Sequence, residues 1–212
     1  MNEDLLRFKK DKLLTFVDFE TQNLCLNECH NLPWEVAILE TNGREISDSY
    51  EALIKWNPPL KISKQAALIT RYDPKKVELK GKDPKEVAQR TYDSFQRADY
   101  IIGHNVFGFD YYVANSLFRT VGLGNYNFIS KLVDTNILVK GLKLGIPYKH
   151  GENLTLYQYR LFHKHQGKTK TSLGAVAKEY GIEVDEARRH AALYDLEINF
   201  EFWKKIIFQI DL

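Results

Sequence analysis

The stretch Leu13-Leu14-Thr15-Phe16-Val17-Asp18-Phe19-Glu20 decides how the rest of the chain is read. From Leu13 to Phe19 it is almost continuously apolar and β-rich, the pattern of a strand buried on both faces. Asp18 and Glu20 close it. Two residues apart on a strand, they project from one face, while Phe19 between them turns into packing on the other. Carboxylates held side by side on an apolar strand repel each other and lose hydration, and a divalent cation relieves both costs. A turn beginning at Asp18 with a solvated Glu20 explains the same pair, so the decision depends on what else the chain brings.

Outward from this strand the pattern is mixed α/β. Residues 34–40 (WEVAILE) and 45–54 read as two further strands joined by the turn Thr41-Asn42-Gly43. Ser63 caps a short helix through Ile69, and Pro84 starts another through about Arg97. Residues 100–104 form a strand that runs into a helix from about Asp110 to Val121, stopped by Gly122 and Gly124. A strand–helix junction follows around Asp134. Residues 172–180 are helical up to Gly181, and an amphipathic helix covers about 191–207. Neither a repeat nor a low-complexity linker interrupts this order. One domain is expected over residues 1–212, with its core at about 13–205.

The chain has 212 residues, 44% hydrophobic and 27% charged, enough for one sizeable core and too apolar for a disordered chain. No apolar run approaches a membrane span, and the opening MNEDLLRFKK is too charged for a signal peptide. A cytoplasmic protein without a membrane partner is expected. With 30 Lys+Arg against 28 Asp+Glu the formal charge is only +2, which by itself argues against a nucleic-acid ligand. Cys25, Cys29 and His30 lack a second cluster to complete a zinc site and read as reduced thiols beside a histidine. Gly122-x-Gly124 follows a helix, not a strand, and no Walker pattern occurs, so neither dinucleotide nor nucleoside-triphosphate chemistry is supported.

Two further acidic segments matter. In Gly103-His-Asn-Val-Phe-Gly-Phe-Asp110 a carboxylate follows a strand and opens a helix. The helix dipole alone would favour it there, but in an open sheet that strand would lie beside the first one and bring Asp110 to the Asp18–Glu20 pair. In His190-Ala-Ala-Leu-Tyr-Asp195 the five-residue step rotates by roughly 140° on a helix, so the two converge only if His190 lies in the loop or first turn. No Lys or Arg stands three or four residues from Asp195, which makes a metal ion its expected partner. Arg160, His163, Lys164, His165, Lys168 and Lys170 form a basic run that reads either as a track for phosphates or as a solvated loop.

Together, Asp18-Phe19-Glu20-Thr21, His104-Asn105-x3-Phe109-Asp110 and His190-x4-Asp195 resemble the DEDD exonucleases, in the DnaQ-like branch with a histidine before the last aspartate. The likeness spans roughly residues 13–205 and is similar in detail to exonuclease I-like members. It implies a ribonuclease H-like fold: α/β, with a mixed five-stranded sheet flanked by helices, and the expected absence of an accessory domain after the core is a departure from it. It implies 3′–5′ hydrolysis of phosphodiesters by two Mg²⁺ ions, Mn²⁺ substituting, which would bring the loaded protein to roughly +6. Asp18 would bridge both ions, Glu20 and Asp195 complete the first site, and Asp110 support the second. His190 would be the general base, a role suited to a group that titrates near neutral pH.

By the same resemblance the terminal nucleotide would meet Phe19, Thr21, Ile69, Thr70, Asn105 and Phe109, with core packing as the other reading of Phe109. The expected substrate is the 3′ end of single-stranded DNA, releasing nucleoside 5′-monophosphates. The alternatives are an exoribonuclease acting on RNA or short oligonucleotides, and a catalytically silent nucleic-acid-binding module. A polymerase or other replication partner and the oligomeric state are left open. Arg71 departs from the family pattern, which has Gly at that position of the wedge segment, and Asn105 and Phe109 stand one residue further apart than in the shortest form.

Overall fold

The computed structural model describes residues 3–26 and 31–212. Cys29 and His30 lie outside the described residues, and Cys25 is an exposed free thiol. One five-stranded sheet forms the centre, built from β1 (Leu14–Thr21), β2 (Pro33–Thr41), β3 (Ile46–Leu53), β4 (Tyr100–Gly103) and β5 (Leu132–Asp134), in the order β3-β2-β1-β4-β5. β1 is antiparallel to β2 and parallel to β4, β2 is antiparallel to β3, and β4 is parallel to β5. This is the mixed five-stranded α/β sheet expected from the sequence.

Among the described residues eight α-helices accompany the sheet: α1 (Lys64–Thr70), α2 (Pro74–Lys80), α3 (Pro84–Arg97), α4 (Asp110–Thr120), α5 (Thr135–Lys143), α6 (Leu154–His163), α7 (Leu173–Glu179) and α8 (Ala192–Ile206). Local signals set most of their ends. The Ser63 hydroxyl accepts from the Ala66 N–H, and the Asp83 carboxylate accepts from the N–H groups of Lys85 and Glu86 ahead of α3. α2 and α6 were not anticipated. α2 buries a single side chain, Val77, and α6 has apolar residues around its whole circumference, so neither writes a helical stripe into the sequence. Among the described residues no helix is long and apolar enough to cross a membrane.

Strand alternation orients the site. Phe16 of β1 packs edge-on against Phe200 and Trp203 of α8, with ring centroids 5.5 and 6.1 Å apart. Asp18 and Glu20, two and four residues on, therefore point to the α8 face, where the first turn of the helix carries Asp195. On α3 and α4, Phe95 and Phe118 meet at 6.2 Å and pin the segment that starts at Asp110.

Candidate active site

β4 stops pairing with β1 at Phe16, three residues before Phe19. The Phe19 N–H lies beyond that last pair and donates to the Asp110 carboxylate, which sets Asp110 between Asp18 and Glu20 along β1. Asp18 is half-buried, whereas Glu20, Asp110 and Asp195 are buried. Burial first, then the charges of Asp110 and Asp195, pushes the Asp18 carboxyl well above the usual range. Burial and then Asp18 do the same to Glu20, and burial raises Asp110 to about 7. Asp110 and Asp195 thus lie within electrostatic reach of Asp18 and Glu20, whose ionisation they oppose.

A second layer holds this geometry. Asp134 is fully buried and accepts the N–H groups of Asn105 (3.0 Å), Phe107 (3.0 Å), Asn136 (2.9 Å) and Ile137 (3.3 Å). One carboxylate therefore caps α5 and clamps the loop that leads to Asp110. Burial raises it to about 6 despite those four donors. His104 lies 2.8 Å from the Thr171 carbonyl through Nε2 and 3.0 Å from the Thr135 hydroxyl through Nδ1. A carbonyl only accepts, so Nε2 carries the proton, and burial lowers the ring to about 4. His104 is a neutral structural link and is not available as a base.

His190 occupies the loop before α8 with φ +64°, and its own N–H donates to the Asp195 carboxylate. This is the loop placement that the spacing of the two residues required. Its neighbour corrects the sequence reading of Asp195: Arg189, six residues upstream, places Nε 3.1 Å from Asp195 Oδ1, beyond the three- and four-residue spacings that a helix pairs. Neither atom has a hydrogen-bond partner in acceptable geometry, and Arg189 Nη1 is also buried and unpaired. Asp195 is raised by burial and pulled back by Arg189.

His190 lines a cavity of about 350 Å³ together with Thr70, Arg71, Glu35, Glu51 and Tyr194. Glu35 is the acidic residue missed in the sequence. It stands opposite Glu20 in the β1–β2 register, is buried, and hydrogen-bonds the Glu51 carboxyl, which requires a proton between them. Burial and Glu51 raise it to about 7. The signal available was an acid directly before the apolar run Val36–Leu39, on a strand next to the acidic one.

The expected substrate residues divide. Thr70 lines the His190 cavity but is buried, its hydroxyl donating to the Ala66 carbonyl, while Ile69 is exposed at 39%. Thr21 is buried and bonds to the Asn23 carbonyl. Phe19 is buried and contributes its backbone N–H, and Phe109 is half-buried against the core, so packing accounts for part of its surface. Asn105 is exposed at φ +78° with its N–H on Asp134. Arg71 takes up the left-handed conformation (φ 55°, ψ 38°) that a glycine adopts without strain. Its guanidinium donates to the carbonyls of Glu186 (3.1 Å) and Ala187, joining the end of α1 to the loop of His190.

A hard divalent cation suits this donor set, because carboxylate oxygens are its preferred ligands and Asp195 Oδ1 is buried without a hydrogen bond. Among the described residues no three His, Cys, Asp or Glu side chains stand close enough together to ligate one ion, and Arg189 supplies the positive charge nearest Asp195.

The sheet order, the acidic end of β1 and the histidine before α8 define a ribonuclease H-like nuclease domain. The RNase T exonuclease family matches residues 15–202, and the chain belongs to that family, whose members depend on a divalent metal. Solved structures similar to it include Escherichia coli exonuclease I in a zinc-bound complex with single-stranded DNA and the same enzyme with a dT13 oligonucleotide. Each is 18% identical with a TM-score of 0.74, covering 93% and 92% of this chain and 41% of the other. An exonuclease I complex with an SSB C-terminal peptide matches at 18% identity and TM-score 0.69, over 92% of this chain and 41% of the other. The chain thus spans about two fifths of those structures, and the likeness establishes the fold. No curated protein matches the chain.

Proposed function

We propose that this chain hydrolyses single-stranded DNA from the 3′ end and releases nucleoside 5′-monophosphates, as a cytoplasmic enzyme. The observation that carries the reading is the gathering of Asp18, Glu20, Asp110 and Asp195 beside a cavity lined by His190. Asp18, Glu20 and Asp195, with Asp110 behind them, would hold two Mg²⁺ ions, with Mn²⁺ substituting. When bound, the ions supply Lewis-acid activation of water and phosphate and neutralise charge at the leaving oxygen. His190 takes the proton of the attacking water at an imidazole nitrogen, and the Asp195 carboxylate fixes its backbone. Asp110 is held on the Phe19 N–H, so its direction is set before substrate arrives. Ile69 presents an exposed apolar wedge to the terminal base, and the oligonucleotide complexes of the similar exonuclease I favour DNA as the substrate.

The test is 5′-labelled single- and double-stranded DNA and RNA incubated with Mg²⁺, with and without EDTA. A ladder shortening from the 3′ end of single-stranded DNA is expected, with mononucleotide products and no reaction in EDTA. Asp18→Ala is expected to abolish turnover. Full activity in that variant or in EDTA ends the metal-dependent reading, and a ladder on RNA alone transfers it to the ribonuclease alternative.

A further inference from the structure

The basic run that starts at Arg160 has no part in the mechanism above, and the structure puts its first members on α6. The inner side of this helix is fully used: Tyr157, Gln158 and Leu161 are buried, and Gln158 bonds both to the Asp134 N–H and to the Leu132 carbonyl. Its outer side is unusual for a helix facing water. Tyr159 is 54% exposed and Phe162 41% exposed, outside the buried side formed by Tyr157, Gln158 and Leu161.

These rings form a continuous path from the loop of Asp110. Phe107 meets Phe162 at 5.9 Å, Phe162 meets His163 at 5.2 Å, and His163 meets Tyr159 at 4.6 Å. Phe162 lies directly on Gly108, two residues before Asp110, where an added Cβ would come within 2.6 Å of the ring. Behind this face, Lys149, Arg160, His163 and Lys164 line a cavity of about 610 Å³ with an apolar wall at Ile146 and Pro147. Glu152 is the one acid in that lining, and it already pairs with Arg160 at 3.4 Å.

Exposed rings in series beside clustered cations are what a single-stranded polynucleotide binds, bases stacking without sequence preference and phosphates meeting Lys and Arg. An acidic peptide would use the cations but leave the ring series without a role. We propose that the outer face of α6 and the basic cavity beside it carry the stretch of single strand 5′ to the nucleotide being removed. The proposal rests on the exonuclease reading, since the ring path gains its meaning from the strand whose 3′ end lies at Asp110.

The experiment separates binding from hydrolysis in the whole chain. Fluorescence anisotropy of a labelled dT20 is measured in EDTA across a salt series for the wild type, Tyr159→Ala and Arg160→Ala/Lys164→Ala. Hydrolysis of the dinucleotide pdTpdT, which extends only one nucleotide 5′ of the one removed, is measured with Mg²⁺. Both variants change exposed residues, and unfolding temperatures confirm that they fold. Each is expected to bind dT20 about tenfold more weakly. The double variant should also flatten the slope of log K against log salt by about 1.4, at about 0.7 per phosphate contact on a single strand. Dinucleotide hydrolysis should be unchanged.

Equal affinities and slopes overturn the proposal, as does a parallel loss of dinucleotide hydrolysis, which would make the patch a support of the centre. So does displacement of dT20 by polyglutamate from the wild type but not from the variants, which would assign the surface to an acidic protein segment. If the wild type binds dT20 through these residues yet hydrolyses neither substrate, the exonuclease reading falls and the binding surface stands.

Discussion

Residues 104–109 and residues 180–191 are two loops that deliver functional side chains to the same carboxylates by opposite means. The first is built into the scaffold. Asp134 satisfies two of its N–H groups, His104 is locked between Thr135 and Thr171, and Phe162 sits on Gly108. The second is exposed over half its length, continuously at residues 185–188, and tied by a few contacts: the Arg71 guanidinium on two carbonyls, the Tyr194 hydroxyl accepting from Asp185, and Arg188 over the Tyr194 ring at 4.1 Å. It also contains the unpaired buried atoms of Arg189 facing Asp195. One loop has its polar groups closed by hydrogen bonds, while the other sets a buried guanidinium against the Asp195 carboxylate without a well-formed one.

The comparison breaks first at His190. His190→Asn keeps a residue that tolerates positive φ and should lower turnover by roughly 10²–10⁴-fold with little change in unfolding temperature. An unchanged rate removes the base from this loop. Asp134→Ala tests the opposite loop. It strips four N–H groups, two of them buried, of their acceptor and should cost about 3 kcal/mol in urea unfolding. A loss below about 1 kcal/mol would mean that the loop is not held through this residue.

The third test uses pH. Asp110 binds its proton more tightly when folded, at about 7, than in the unfolded chain, near 3.8. Its contribution to stability is therefore complete below about pH 4 and is lost as pH rises through 7. In metal-free protein Asp110→Asn should be more stable than wild type at pH 8, by up to about 4 kcal/mol, and close to it near pH 4. The same advantage at both pH values would exclude titration of Asp110 as its source.

Arg71→Gly should have the smallest effect. Glycine relieves the left-handed backbone while two exposed hydrogen bonds are lost, so stability should move by less than about 0.5 kcal/mol. Amide exchange of residues 185–190 should nevertheless accelerate severalfold, and unchanged exchange would show that Arg71 does not tether that loop.

Much of the architecture was legible because it is written at short range. The apolar run of β1, the two-residue spacing of Asp18 and Glu20, the Ser63 cap and the stop at Gly181 all depend on residues within a turn or a strand of each other. α2 and α6 were not legible because their stability comes from what they pack on, as Gln158 does on β5. The partner of Asp195 was missed for a related reason: a search at helical spacing cannot find Arg189, which folds back from the preceding loop.

Legible in the sequence by itself were the buried strand β1, the turn joining β2 to β3, and the acidic residues placed at and near the end of β1. Only the tertiary structure decided which groups surround them: Glu35 across from Glu20, Asp134 clamping the loop of Asp110, Arg71 reaching Glu186, and α6 laying its rings on Gly108. The physical reason is the range of the interactions. Propensity, alternation and capping act between near neighbours, whereas a buried carboxylate finds its donors, and an arginine its carbonyls, among residues that only the closed chain brings together.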